Sequence, residues 1–378
     1  MIPQRWAWAD VDLDAIGHNV RLMADAVAPS RVLAVVKANG YGHGAVPVAQ
    51  AALAAGADAL GVALVQEAVE LRDAGIDAEI MMLSQQPPEQ ESALVERGVV
   101  PVVYTLAGLE GLAAVAPHGY PVQVKVDTGM RRVGAQASDV LDLARAIERA
   151  GLRLAGVFTH LAVADEPDDP YTAGQLDAFD AVLDELERAG IDVPLVHSAN
   201  SAAALAHPPA RRDLVRLGIA MYGLEPGPGV AAHSVDLDPA MSLRARVSHV
   251  KTVAAGDRIS YGLRHTFKSD TAVATVPIGY ADGVPRRLSG VGGEVLVAGR
   301  RRPIVGVVTM DQLMVDVGDL PVEVGDEVVL IGRQADAEIL AVEWADRLGT
   351  IGYEIVCGIS TRVPRRYHRS GQVGEARH

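Results

Sequence analysis

Apolar residues in this chain arrive in short runs separated by alanine-rich stretches of helical period. Runs at 31–36, 59–62, 79–83, 100–103, 122–126, 154–159, 195–198 and 214–217 read as eight strands. Between them, amphipathic segments such as Gln66 to Ala74 and Leu176 to Ala189 read as helices. Ahead of the first run, Asp12 is placed to cap a helix whose apolar positions Leu13, Ile16, Val20, Met23 and Val27 step by three and four residues, with Pro29 ending it. Eight β-α repeats over about 230 residues predict a closed (β/α)8 barrel of the TIM type. An open doubly wound sheet is the other architecture that such alternation allows. No G-x-G-x-x-G follows an early strand, which counts against it.

The pattern changes after Gly223. Residues 226–239, PGPGVAAHSVDLDP, read as a linker. Short strands with close turn signals follow at Leu243 to Val253, Thr271 to Pro277, Val295 to Val297, Ile304 to Val308, Leu313 to Val317 and Glu327 to Ile331, with one helix near Glu338 to Leu348. The expectation is therefore a barrel over 12–235 and a mainly β domain over 236–369, with residues 1–11 a candidate to join the latter. The polar end, 370–378, is expected to fray.

Length and composition narrow the function. A chain of 378 residues exceeds what one core comfortably serves, and 49% hydrophobic with 22% charged residues is ordinary globular composition. A net charge of -14 without a basic run argues against nucleic acid or an anionic membrane and for a small-molecule partner. Cys357 is the only cysteine, so no internal disulfide and no cysteine-based zinc cluster can form, and no metal site is expected. Met1-Ile2-Pro3 opens no signal peptide, and 18 consecutive apolar residues occur nowhere, which points to the cytoplasm.

Candidate chemistry sits where the strands end, because a barrel of this kind works at its C-terminal mouth. Val32 to Val36 lead straight into Lys37, with Asn39-Gly40, Tyr41, Gly42 and Gly44 behind. Lys37 is open to two readings: a strand-end ammonium in water, or a poorly solvated amine able to form a Schiff base. Lys125 and Arg132 come with the fifth strand, His160 with the sixth, His197, Asn200 and Ser201 (HSANSA) with the seventh, and Arg216 with Gly218-Ile219 on the eighth. Each histidine alone could be structural; together they form a crowded ring. Ser201 and the Gly218 and Ile219 amides fall where barrels bind phosphate. A phosphorylated ligand beside a buried lysine points to pyridoxal 5'-phosphate.

The motifs AVVKANGYGHG, KVDTGMRRVG, VFTHLAVADEP, HSANSA, LVRLGIAMYG, SYG (260–262), PIGYADG (277–283), TMDQ (309–312) and TIGYEI (350–355) span nearly the whole chain. In number, order and spacing they resemble the alanine racemase family, the barrel-type pyridoxal-phosphate enzymes. Gly40, Leu217, Thr309 and Gly352 depart from that family's usual alanine, proline, cysteine and asparagine. Thr309 and Gly352 bear on the substrate entrance, and none of the four is expected to do chemistry.

The resemblance implies an isomerase that interconverts L- and D-alanine and supplies D-alanine for peptidoglycan. Lys37 would hold the cofactor and return as a base. Tyr41, Ser201, Gly218, Ile219 and Tyr353 would hold its phosphate, Arg216 would face its ring nitrogen, and Arg132 would bond its phenolic oxygen near the substrate carboxylate. The Met310 backbone would also bind substrate. Lys125 would be a site for carbamylation that fixes Arg132, with His197, Asn200, Tyr280 and Asp311 in support. Racemisation needs a base on each face of a planar centre, and Lys37 with Tyr261 would be the pair. A tyrosine titrates at roughly 10, so Tyr261 would need the hydrogen-bond chain through His160, Arg216 and His197. On its own residues, S-Y-G reads first as a turn tyrosine of the β domain. The family pattern further implies a homodimer in which one chain's β domain closes the other's barrel. A serine, lysine or broader racemase on this scaffold, and a cofactor-binding protein without catalysis, are the alternative readings.

Overall fold

In the computed structural model, which describes residues 5–233, 235–369 and 372–375, the chain forms two units. One runs over Ala15–Gly40 and Ala45–Asp238; the other combines the described residues up to Asp14, the short segment Tyr41–Gly44, and the chain from Pro239 onward.

The first unit is the (β/α)8 barrel. Its parallel strands are β1 (Arg31–Val35), β2 (Ala59–Val62), β3 (Ile80–Met82), β4 (Val102–Val103), β5 (Pro121–Lys125), β6 (Arg153–Phe158), β7 (Val196–His197) and β8 (Leu214–Leu217). They pair as β3-β2-β1-β8 and β4-β5-β6-β7. Backbone bonds close the ring at both seams: Val100 N–H to Ile80 O and Met82 N–H to Val100 O on one side, Asp213 N–H to Val196 O and Arg216 N–H to Ala199 O on the other. Alternation along β5 shows how the sequence builds the interior. Val122 and Val124 pack with Leu143, Phe179 and Leu186 of the covering helices, whereas Gln123 reaches Met81 of β3 and His197 of β7 across the ring. Polar residues on an otherwise apolar strand thus face the barrel axis.

Helix Leu13–Val27 forms as its period requires, with Leu13, Ile16, Val20, Met23 and Val27 all buried and Asp12 Oδ1 accepting the Asp14 N–H at 2.9 Å. Residues 226–239 include a 3-10 segment, Pro228–His233.

The second unit is built on an eleven-stranded sheet. The stretch expected as one strand, Leu243 to Val253, is two: Met241–Arg246 pairs with Ala7–Asp12 and Glu327–Gln334, and His249–Val253 pairs with Thr271–Val276. The break at Val247-Ser248 moves the chain to a new partner, where the alternation of Leu243, Ala245 and Val247 with polar residues gives way to Ser248-His249. The helix expected near 338–348 starts at Ala341, because 337–339 is a strand. Arg365–Arg369 adds a strand parallel to Ala7–Asp12. Of the tail, residues 370, 371 and 376–378 lie outside the described residues, and Gln372–Glu375 pairs antiparallel with Arg365–Arg369. Among the described residues no helix is long and apolar enough to cross a membrane.

Candidate active site

β1 ends by handing Lys37 to one turn of helix, Lys37–Tyr41, of the wrong hand. Ala38, Asn39, Gly40 and Tyr41 have φ of 52°, 53°, 58° and 51°. Left-handed helix costs an L-residue about 1–2 kcal/mol, with glycine exempt and asparagine tolerant. The turn is closed by Gly40 N–H to Val36 O at 2.8 Å and tied outward by Ala45 N–H to Asn39 Oδ1 at 3.0 Å. Glu67 holds it from the side: its Oε1 accepts the Ala38 N–H at 2.6 Å while Oε2 accepts from Ala63 and Leu64.

Arg216, buried on β8, is the hub of the mouth. It donates to His197 Nδ1 (3.0 Å), His160 Nδ1 (3.2 Å), Thr159 O (2.9 Å) and Ser198 O (2.9 Å). Burial pushes its guanidinium down to about 9, still above neutrality, so it remains a cation there. Burial first, and then the Arg216 charge, hold His160 and His197 well below the ordinary imidazole range. Both are neutral. Because His197 Nδ1 accepts from Arg216, its proton sits on Nε2 and goes to Gln123 Oε1 at 2.8 Å. The Phe158 ring stacks on His197 at 4.6 Å and lies under the cations of Arg216 (5.4 Å) and Lys125 (5.5 Å).

Lys125 is buried at the end of β5, with Nζ donating to Leu83 O at 3.2 Å. Burial, then the charges of Arg216, Arg132 and Lys37, push its amine down to about 7, against a smaller pull from Asp127. Arg132 is exposed on the loop that follows, where Asp127 Oδ1 accepts the Gly129 and Arg131 N–H groups. Its charge, with those of Lys37 and Arg216, is felt at Lys125.

At the ends of β7 and β8, the buried Ser201 Oγ accepts the Gly218 N–H at 2.9 Å, and Ile219 opens a 3-10 turn to Tyr222. Asn200 Oδ1 caps the short helix Ser201–Ala206 through the Ala203 N–H. A hydroxyl and adjacent backbone N–H groups are a donor set suited to phosphate.

The remaining expected residues lie in the second unit. Tyr41 and Tyr353 place their rings 6.1 Å apart, and burial raises the Tyr41 phenol, which keeps its proton and can donate. Arg365 fixes this segment by donating to the carbonyls of Gly42, Ile359, Ser360 and Val363. Tyr261, 74% exposed, begins a tight turn after Ser260, whose hydroxyl donates to Val307 O. Met310 (52% exposed) and Tyr280 (42%) are neighbours: the Tyr280 and Ala281 N–H groups donate to Thr309 O and Met310 O. A side chain on Gly279 would collide with those two carbonyls. Asp311 pairs with Arg362 at 2.6 Å.

Sequence reasoning missed several residues that build these sites. Gln123 orients His197, Phe158 floors the cation cluster, and Glu67 holds the Lys37 turn. Asp282, wholly buried, receives both guanidinium nitrogens of Arg5 (2.7 and 2.6 Å) and the Gly279 N–H, with Arg362 at 3.3 Å. A glutamine between two valines in a core strand, and the acid within GYADG, were the available signals.

Comparison with known proteins places these features in a family. The alanine racemase N-terminal domain matches residues 11–226 and the alanine racemase C-terminal domain matches 240–367. An alanine racemase of Symbiobacterium thermophilum is 51% identical over 96% of this chain and 97% of its own. One from Desulforamulus reducens is 46% identical over 95% and 98%. The crystal structure of alanine racemase from Bacillus anthracis with bound L-Ala-P superposes with a TM-score of 0.94 at 42% identity, covering 99% of this chain and 98% of that one.

Proposed function

Because this chain belongs to the alanine racemase family, an isomerase family that interconverts L- and D-alanine, we propose that it does so with pyridoxal 5'-phosphate held at the barrel mouth and with Lys37 and Tyr261 as its two bases. The family uses that cofactor, and the residues present fit it. Ser201 with the Gly218 and Ile219 amides, together with the Tyr41 and Tyr353 hydroxyls, would hold the phosphate. Lys37 would take the carbonyl carbon, Arg132 the phenolic oxygen and Arg216 the ring nitrogen. When bound, the cofactor acidifies the α C–H of the amino acid it carries.

The chain's own groups then move the proton. Lys37 Nζ serves one face of the substrate α-carbon and Tyr261 Oη the other; one takes a proton while the conjugate acid of the other delivers one, so configuration inverts without net change in atoms. His160 accepts at Nδ1 from Arg216, so its Nε2 carries the proton and would be the donor in the hydrogen-bond chain to Tyr261. Arg216 keeps its protons at neutral pH and gives an acceptor a hydrogen bond only. Lys125, with its amine near neutrality, would take up carbon dioxide: the nitrogen lone pair bonds carbon, one proton leaves, and the resulting anion would orient Arg132. Met310 and Arg132 would bind the substrate carboxylate, and Tyr280 and Tyr353 would restrict the side chain to a methyl. Asp311, Asn200 and His197 support these groups.

The site would be completed by the partner's Tyr261 in a twofold homodimer, in a cytoplasmic protein. The observation that carries the reading is the buried Arg216 hub: a cation that holds two neutral histidines and lies within electrostatic reach of a near-neutral lysine. Racemisation across a panel of L-amino acids, followed by chiral separation, tests it. Alanine should turn over fastest, and no turnover of any small amino acid would refute it.

A further inference from the structure

We propose that Glu67, a residue outside the reacting set, is the positioning residue that holds the turn after Lys37 in its left-handed form and so sets the bearing of Lys37 and Tyr41 together. The proposal rests on the reading of Lys37 as a base. In a helical turn residues i and i+4 share a face, so Lys37 and Tyr41 stand one turn apart on the same side as long as the hand is kept. Of the intervening residues, Gly40 meets no Cβ penalty and Asn39 is tolerant and anchored through Ala45. Ala38 (φ 52°, ψ 49°) has neither advantage.

Ala38 is the residue whose N–H Glu67 accepts, at 2.6 Å, the shortest of its three such contacts. A left-handed alanine is disfavoured by about five- to thirtyfold. A hydrogen bond to a charged group opposes that by about ten- to a hundredfold. The two effects are of one size, so the carboxylate offsets the cost of the left-handed alanine.

Glu67 also caps helix Val65–Asp73 through Leu64, and the test must separate the two roles. Glu67→Ala should lower kcat about tenfold or more, with KM for alanine within about twofold. Titration of the apoprotein with pyridoxal phosphate, followed by fluorescence, should show affinity falling by about tenfold as well. Adding Ala38→Gly, which removes the left-handed penalty at that position, should recover most of both. Adding Leu64→Ser instead gives the helix its own cap and should recover the melting temperature alone. Recovery of kcat and affinity by Leu64→Ser, no recovery by Ala38→Gly, or an unaltered Glu67→Ala would overturn the proposal. An active Lys37→Ala variant would refute the base assignment separately, whatever the Glu67 variants do.

Discussion

Arg216 meets His160 Nδ1 at 3.2 Å, and that contact decides which nitrogen of His160 is the donor. A guanidinium has no lone pair to offer, so Nδ1 must accept and Nε2 must hold the proton. His197 is set the same way, with Gln123 confirming the tautomer from the far side.

The first prediction concerns pH. Both histidines have folded-state pKa values lowered by burial and by Arg216, while an unfolded histidine titrates near 6.5. Below about pH 6.5 the unfolded chain therefore binds protons that the folded chain refuses. Their contribution to stability is full above that pH and is lost as pH falls. Nitrogen NMR should show both imidazoles neutral and protonated at Nε2 at pH 6, with melting temperature falling below it. A protonated imidazolium at either position at pH 6 would contradict the assignment.

Lys125 supplies a prediction of opposite sign for stability and activity. Its amine sits near 7 in the fold against about 10.4 unfolded, so its protonated form opposes folding, and the penalty is largest below pH 7 and shrinks as pH rises towards 10. With carbon dioxide stripped, where the amine is free, Lys125→Met should raise the melting temperature at pH 7, and with carbon dioxide present it should lower kcat/KM about tenfold or more. Stripping carbon dioxide should slow the wild type and leave the variant unaffected, and labelled bicarbonate should give a carbamate carbon signal only in the wild type.

How much of this was legible follows from where the polar atoms lie. All eight barrel strands could be read because each is an apolar run flanked by helical period, and the mouth residues follow directly from the strand ends. Arg365–Arg369, RRYHR, could not be read as a strand, since its partner Ala7–Asp12 lies far away in the chain and its own residues carry no apolar alternation. The handedness of the Lys37 turn was equally hidden. ANG signals a turn, but the contact that fixes Ala38 comes from Glu67, 29 residues later. Gln123 was visible as an odd residue and became interpretable only when β7 brought His197 to 2.8 Å.

Arg216→Glu tests the ring-nitrogen assignment. A carboxylate there would keep the facing nitrogen protonated, deepening electron withdrawal and opening transamination. Racemisation should fall while pyruvate formed per racemisation event rises. Loss of racemisation without added pyruvate would reduce Arg216 to a structural or cofactor-holding role.

Lys37 and Tyr261 can be checked chemically. Borohydride reduction of the yellow holoenzyme should leave the cofactor mass on the Lys37 peptide; its appearance on another lysine would move the site. Lys37→Ala and Tyr261→Phe should each be nearly inactive, since one base cannot serve both faces.

The same two variants test the shared site. Tyr261 is 74% exposed in a unit separate from that of Lys37, and the base proposed above would need another surface to cover it. In a twofold dimer the two contacts are equivalent, so each barrel would take the partner's Tyr261. When the variants are mixed equally and allowed to exchange, about half of the dimers are hybrids. In a hybrid, the Lys37 of the Tyr261→Phe chain meets the intact tyrosine of the other chain, while the second site has neither base. One site in two within half the dimers gives roughly a quarter of wild-type activity. If mass measurement shows that hybrids have formed and the mixture stays inactive, both bases belong to one chain and the shared site is wrong.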